Sequence, residues 1–205
     1  MTLKIKHRTA RRLVPAAVAL AGLSLAAACG GSSSAGNHDA TNGNSASSSA
    51  AHNAADVAFA TDMIPHHTQA VEMADMALAA AVDPEVKALA QAIKGAQDPE
   101  IQTMTGWLTD WKAPVPGTGM GHSMSGGGRG MMSDTEMAAL GKATGTAFDK
   151  MWVDMMTRHH TGAIEMANTE IKNGQYTDAK ALAQRIVTSQ TAEVTKMTAI
   201  AKRLT

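Results

Sequence analysis

The chain of 205 residues has one cysteine, Cys29, and no acidic residue anywhere before it. A single thiol excludes an internal disulfide framework, and beyond Cys29 no thiolate remains for a zinc or iron–sulfur site. The first twelve residues carry Lys4, Lys6, Arg8, Arg11 and Arg12 with no compensating acid. An apolar run from Leu13 follows, too short and too alanine-rich, with Pro15 near its start, for a comfortable transmembrane helix. A basic start, a brief apolar stretch and small residues at Ala26-Ala27-Ala28 read as a secretory signal over residues 1–28. Cys29 falls where a bacterial lipobox places its lipidated residue, although the usual leucine stands one position early, at Leu25. Ala26-x-Ala28 would equally suit ordinary signal peptidase, and Arg11-Arg12 is a weak twin-arginine feature. With the leader removed, 13 basic residues face all 18 acidic ones, a net charge of −5. That balance argues against nucleic acid, or an electrostatically bound membrane, as partner.

Residues 29–54 contain almost no large apolar side chain and read as a flexible lipoprotein tether. A second glycine-rich stretch, 113–132, reads as a connector. What is abundant is methionine, 14 residues beyond the leader, together with seven histidines. A shift of 93 residues lays Phe59–Ala74 on Trp152–Ala167 with eight of sixteen positions identical, including both members of His66-His67 and His159-His160. The same shift lays Lys87–Ile93 on Lys180–Ile186, and Gln97, Glu100 and Met104 on Gln190, Glu193 and Met197, with no gap. The chain is therefore a duplication, repeat 1 over 55–112 and repeat 2 over 133–205.

Each copy reads as two helices. The first runs from about Ala55 to Ala81 and its counterpart from about Gly145 to Asn173, with Gly174 as the residue after the helix. The second begins at Asp83-Pro84, an N-cap followed by proline at the first turn, and near Thr177-Asp178 in the other copy. Ser133-Asp-Thr-Glu136 has the form of a capping box for a short additional helix. Pro65 and Pro99 are expected to kink their helices rather than end them, since Arg158 and Ala192 hold the same register. Two such hairpins can bury their apolar stripes as an all-α four-helix bundle, with 55–205 as one domain.

At about 100° per residue, Phe59, Met63, His67, Ala70 and Ala74 share one stripe, His66 and Met73 flank it, and Glu72 faces away. The adjacent histidines should thus diverge, one toward the core and one toward a flank. On the second helix Gln97 and Glu100 fall in the stripe of Val86, Ile93 and Met104, and Gln190 and Glu193 repeat this. A carboxylate placed there needs a partner, and the histidines are the available ones. The His, Glu, Gln and Met set reads as an interior metal site, with Met63, Met156, Glu100 and Glu193 beside the four histidines. Met73, Met166, Met104 and Met197 are accessory candidates, and methionine at helical spacing is equally ordinary core filler. A buried His–Glu network that fixes helix register without a metal is the competing reading. In the connector, Met120, His122 and Met124 form a Met-x-His-x-Met array followed by Met131-Met132, read as a looser capture arm or as biased linker composition. Thioether and imidazole donors without thiolate favour copper, Cu(I) above all.

The Met-x-x-His-His-x-x-Ala-x-x-Met-Ala pattern at 63–74 and 156–167, with Gln-x-x-Glu-[Ile/Val]-x-x-Met at 97–104 and 190–197, resembles the secreted bacterial family numbered 305 among domains of unknown function. The resemblance implies a ferritin-like four-helix bundle of two similar hairpins, a functional role for His66, His67, His159 and His160, and an association of some members with copper. Gln69 stands where the second copy has the family's usual Gly162, which leaves the equivalence of the two copies open. No glutamate lies three residues before any of the four histidines, so a di-iron oxidase is only a second alternative. The expectation is a copper-capturing protein held outside the membrane by a lipid on Cys29, or secreted without it, with no catalytic residue assigned and protein partners open.

Overall fold

In the computed structural model, residues 51–117 and 128–205 are described, and among them every regular element is helical. The order is α1 (Ala54–Ala80), α2 (Pro84–Asp110), a 3-10 turn (Gly128–Gly130), α3 (Asp134–Lys142), α4 (Gly145–Asn173) and α5 (Thr177–Leu204). The leader, Cys29 and the Met120, His122 and Met124 array lie outside the described residues.

The helix starts are chemically specified. Asn53 caps α1, accepting from the amides of Ala55 at 2.8 Å and Asp56 at 3.2 Å, while the Asp56 carboxylate accepts from the Asn53 amide at 2.6 Å. Asp83 caps α2 ahead of Pro84, and Ser133 and Glu136 form the expected box on α3. Helices α1 and α2 run through Pro65 and Pro99 without ending. Gly174 follows α4 as expected, but with φ −68° rather than a left-handed cap. Its smallness serves another purpose, because a Cβ there would overlap the Glu170 carboxyl group.

Helix α1 packs along α2 and α4 along α5, and the two pairs meet mainly through α1 against α4. The core falls into two apolar clusters. One gathers Phe59, Met63, Met104 and Leu108 of the first copy with Ala163, Met166, Leu182 and Ile186 of the second. The other gathers Trp152, Met156, Met197 and Ile200 of the second with Ala70, Met73, Leu89 and Ile93 of the first. Most of these residues exchange places under the 93-residue shift, so each cluster is the other's copy, built from the open end of one hairpin and the connected end of the other. Along every long helix the change from one cluster to the other falls at a polar residue: His66-His67 on α1, Gln97 on α2, His159-His160 on α4 and Gln190 on α5. A polar layer therefore divides two equivalent apolar cores.

Candidate metal centre

All four histidines lie inside that layer, none more than 2% exposed. His67 Nε2 lies 2.8 Å from Glu100 Oε2 and His160 Nε2 lies 2.8 Å from Glu193 Oε2. Each is a contact between the two helices of one copy, and each joins residues 33 apart in sequence. The carboxylates sit at the edge of the layer, their side chains 20% and 15% exposed. His66 and His159 meet between the copies, ring centroids 3.7 Å apart and planes tilted by 39°. The flank expected for His66 is therefore buried as well. Because α1 packs against both α2 and α4, its covered arc is wider than one stripe, and Met73 beside His66 is fully buried for the same reason. Glu72 is exposed, as its position on the helix predicts.

The hydrogen bonds set the protonation of the rings. An ionised carboxylate can only accept, so Nε2 of His67 and of His160 is the donor in these bonds. The backbone carbonyl of Arg129 does the same for His66, 2.9 Å from its Nε2. Nδ1 of His66, His67 and His160 is buried with no hydrogen-bond partner, and His159 has no partner at either nitrogen. The amide oxygens of Gln97 and Gln190 are likewise unpaired in the same layer. Burial pushes the His66 imidazole down to about 3, the Arg129 carbonyl opposing and the neighbouring rings of His67 and His160 adding to it. Burial also holds His159 well below the ordinary histidine range, with His66, His160 and His67 contributing. His66 and His159 are thus uncharged rings with free lone pairs at neutral pH, the form in which imidazole binds metals.

Orphaned imidazole nitrogens in a buried layer fit a borderline transition-metal cation. No three His, Asp or Glu side chains among the described residues, the four histidines included, stand as a ready metal-binding group. The methionines divide between the cores: Met63, Met104 and Met166 in one, Met73, Met156 and Met197 in the other, all at most 6% exposed. They border the polar layer and fill space at the same time. Met132 is a correction to the connector reading, because it is only 5% exposed and belongs to a core cluster. A cavity of about 200 Å³, lined mostly by apolar atoms, reaches His66 between Pro65, Arg129, Met131 and Met166.

Several buried polar groups escaped the sequence reading. Asp56 accepts from the amides of Gln175 and Tyr176 in the α4–α5 connection, at 3.0 and 2.9 Å. Asp149 accepts from Val82 and Asp83 in the α1–α2 connection, at 3.2 and 2.9 Å. These aspartates are also 93 residues apart, and extending the internal alignment three residues before Phe59 would have found them. Glu170, 1% exposed, has no such copy, since the equivalent position is Ala77. Burial, reinforced by Asp56 beside it, pushes the Glu170 carboxyl up to about 8.

Duplicated helix pairs that bury two imidazoles per copy in a common layer define a class of all-α proteins with an internal histidine site. Within that class the chain belongs to the family described as Domain of unknown function (DUF305), matched over residues 56–201. It is similar to a DUF305 protein from Streptomyces coelicolor, at 34% identity over 73% of this chain and 92% of that one, TM-score 0.66. A DUF305 fragment from Deinococcus radiodurans is similar at 27% identity, 74% and 97% coverage and TM-score 0.66. CopM in its Cu(II)-bound form is similar at 34% identity, 73% and 97% coverage and TM-score 0.63. CopM structures also exist in Cu(I)-bound, Ag-bound and apo forms. No curated protein matches.

Proposed function

We propose that this protein binds copper outside the cytoplasm, through the duplicated histidine layer of a ferritin-like four-helix bundle made of two hairpins. The observation that carries the reading is the set of buried imidazole nitrogens left without partners while the opposite nitrogens of His66, His67 and His160 are held. Glu100 and Glu193 orient their rings in the way that carboxylates beneath metal-bound histidines do. His66, His67, His159 and His160 are the nitrogen donors, and Met63 and Met156 the thioether donors, a set that favours Cu(I) over harder cations. Met73, Met104, Met166 and Met197 border the layer as reserve donors, and Met120, His122 and Met124 form an accessory capture arm. The copper and silver forms of CopM, and the description of the Streptomyces coelicolor relative as secreted, support this reading. Attachment through Cys29 after removal of 1–28 completes it. No helix among the described residues is long and apolar enough to cross a membrane.

A second reading, a metal-free His–Glu network that fixes helix register, draws on the lack of a ready-made His/Asp/Glu metal group. Titration of the full-length protein with Cu(I) under reducing conditions separates the two. A native-state ligand at about 100 times its dissociation constant raises stability by about 2.7 kcal/mol. The copper reading requires a rise of that kind, lost when His66, His67, His159 and His160 are replaced by alanine. As a milder variant, His159→Leu keeps the packing and should weaken binding. Unchanged binding in both variants would move the site to Met120, His122 and Met124, and no stabilisation at all would leave the structural network.

A further inference from the structure

His66 and His159 occupy equivalent positions in the two copies, yet only His66 has its Nε2 held. The group that holds it is a backbone carbonyl from outside both repeats. Arg129 adopts φ 57° and ψ 36°, a left-handed conformation that a non-glycine residue takes at a cost of about 1–2 kcal/mol. Here that conformation accompanies a carbonyl directed at the imidazole.

Four further contacts fix the same segment. Gln69 bonds Met132 twice, its Nε2 donating to the carbonyl and its Oε1 accepting from the amide, both at 2.8 Å and both buried. A Cβ on Gly162 of α4 would overlap the Arg129 carbonyl group, so the strand of backbone passes where only glycine leaves room. Gly130, at φ +79°, makes the reciprocal approach, since a Cβ there would overlap the Arg158 carbonyl. The Arg129 guanidinium pairs with Asp62 of α1. Gln69 and Gly162 are the two copies of one sequence position. One grips the segment and the other makes space for it, so their difference is complementary.

We propose that Gly128–Met132 is a strap that positions His66 for metal binding, with Gln69 and Gly162 as its positioning residues. The Arg129 carbonyl does for His66 what Glu100 and Glu193 do for His67 and His160: it fixes the proton on Nε2 and leaves Nδ1 as the donor. Being uncharged, it confers orientation without adding an anion. His159 has neither nitrogen held by a hydrogen bond. The two copies are consequently unequal, one ring of the central pair held in one tautomer and the other without a hydrogen bond to fix it. This deepens the metal-binding reading and, for its effect on affinity, rests on it.

The test uses full-length protein, Ag(I) as the probe, and proton–nitrogen correlation spectra of the imidazoles. In metal-free wild type, His66 should appear as one tautomer, protonated at Nε2. Gly162→Ala forces the strap away, and Gln69→Leu removes both bonds to Met132. Each variant should abolish the fixed tautomer at His66, leave the His67 and His160 patterns unchanged, and weaken Ag(I) binding about tenfold or more. The unchanged His67 and His160 signals separate a displaced strap from general unfolding, and Gln69→Leu serves if Gly162→Ala does not fold. The proposal is overturned if His66 keeps its tautomer in both variants. It is also overturned if the tautomer is lost while affinity stays within about twofold of wild type. Failure of wild type to bind Ag(I) would remove the metal-binding reading itself, and the His66 tautomer in the variants would still decide whether the strap positions the ring.

Discussion

Acidification of the metal-free protein from pH 7 to pH 5 sets two buried groups against each other. His66 is neutral when folded, held down to about 3, but recovers the ordinary value of 6.5 when the chain unfolds. Below pH 6.5 the unfolded state therefore binds more protons, and stability falls as pH drops toward 3. At about 1.4 kcal/mol per unit, the loss from pH 7 to pH 5 is about 2 kcal/mol, and His159 adds to it in the same sense. Glu170 acts oppositely. Raised to about 8 from 4.5, it holds a proton in the folded state that the unfolded chain releases between those values. Its contribution grows as pH falls from 8 toward 4.5 and returns about 2–3 kcal/mol over the same two units. Glu170 therefore offsets the His66 loss between pH 7 and pH 5 and leaves wild type a net decline set by His159, and wild type should also weaken above pH 7 as Glu170 ionises. Glu170→Gln removes the opposing group. The variant should lose the alkaline decline and destabilise by at least about 2 kcal/mol between pH 7 and pH 5. Urea unfolding followed by circular dichroism at half-unit pH steps gives both curves directly. Parallel curves for wild type and Glu170→Gln would refute the assignment of Glu170 as a protonated buried acid. A flat curve for the variant below pH 6.5 would refute that of the buried neutral histidines.

Other perturbations follow from single contacts. His159→Leu removes a ring with no hydrogen bond at either nitrogen, so the metal-free protein should gain about 1–3 kcal/mol in chemical denaturation while Cu(I) binding weakens. Asp149→Ala orphans the amides of Val82 and Asp83, and should cost about 1–3 kcal/mol with faster hydrogen exchange at those two residues. Ile93→Ala and Ile186→Ala, fully buried equivalents in the two clusters, should each cost about 2–5 kcal/mol by thermal unfolding and should differ little from one another.

The helices were legible because their periodicity, caps and duplication all pointed the same way. Asp83-Pro84 and the Ser133 box located two helix starts from local chemistry alone, and the unbroken register between the copies carried α1 and α2 through Pro65 and Pro99. That Glu100 and Glu193 would meet histidines was legible too, since a carboxylate on a core stripe requires a partner, but which histidine each takes, His67 and His160, came from the structure. The burial of His66 was not, because one helix's stripe does not reveal how many neighbours cover it. Glu170 was hidden for a related reason: at its place on α4 nothing local distinguishes a buried acid from a solvated one. The strap was hidden most completely. Gly128-Arg129-Gly130 reads as linker composition, and only the contact with α4 makes those glycines obligatory.

The places where the copies diverge share a physical cause. A duplicated pair of helices can assemble with itself symmetrically, and the residues that face the other copy, such as those of the two cores, can then stay alike. The connector and α3 occur once, so any residue they touch is relieved of that symmetry. Gln69 and Gly162 differ because one side of the layer is bonded to Met132 and the other must clear Arg129. Pro65 and Arg158 differ in the same way: Pro65 borders the cavity beside the strap, while Arg158 reaches Glu136 of α3 at 3.0 Å. The four histidines lie at the boundary between these two regimes. His67 and His160 face partners within their own copies and keep identical carboxylate bonds, whereas His66 and His159 face each other beneath a strap that hydrogen-bonds the ring of only one of them. Duplication thus accounts for the four imidazoles, and the single strap for their inequality.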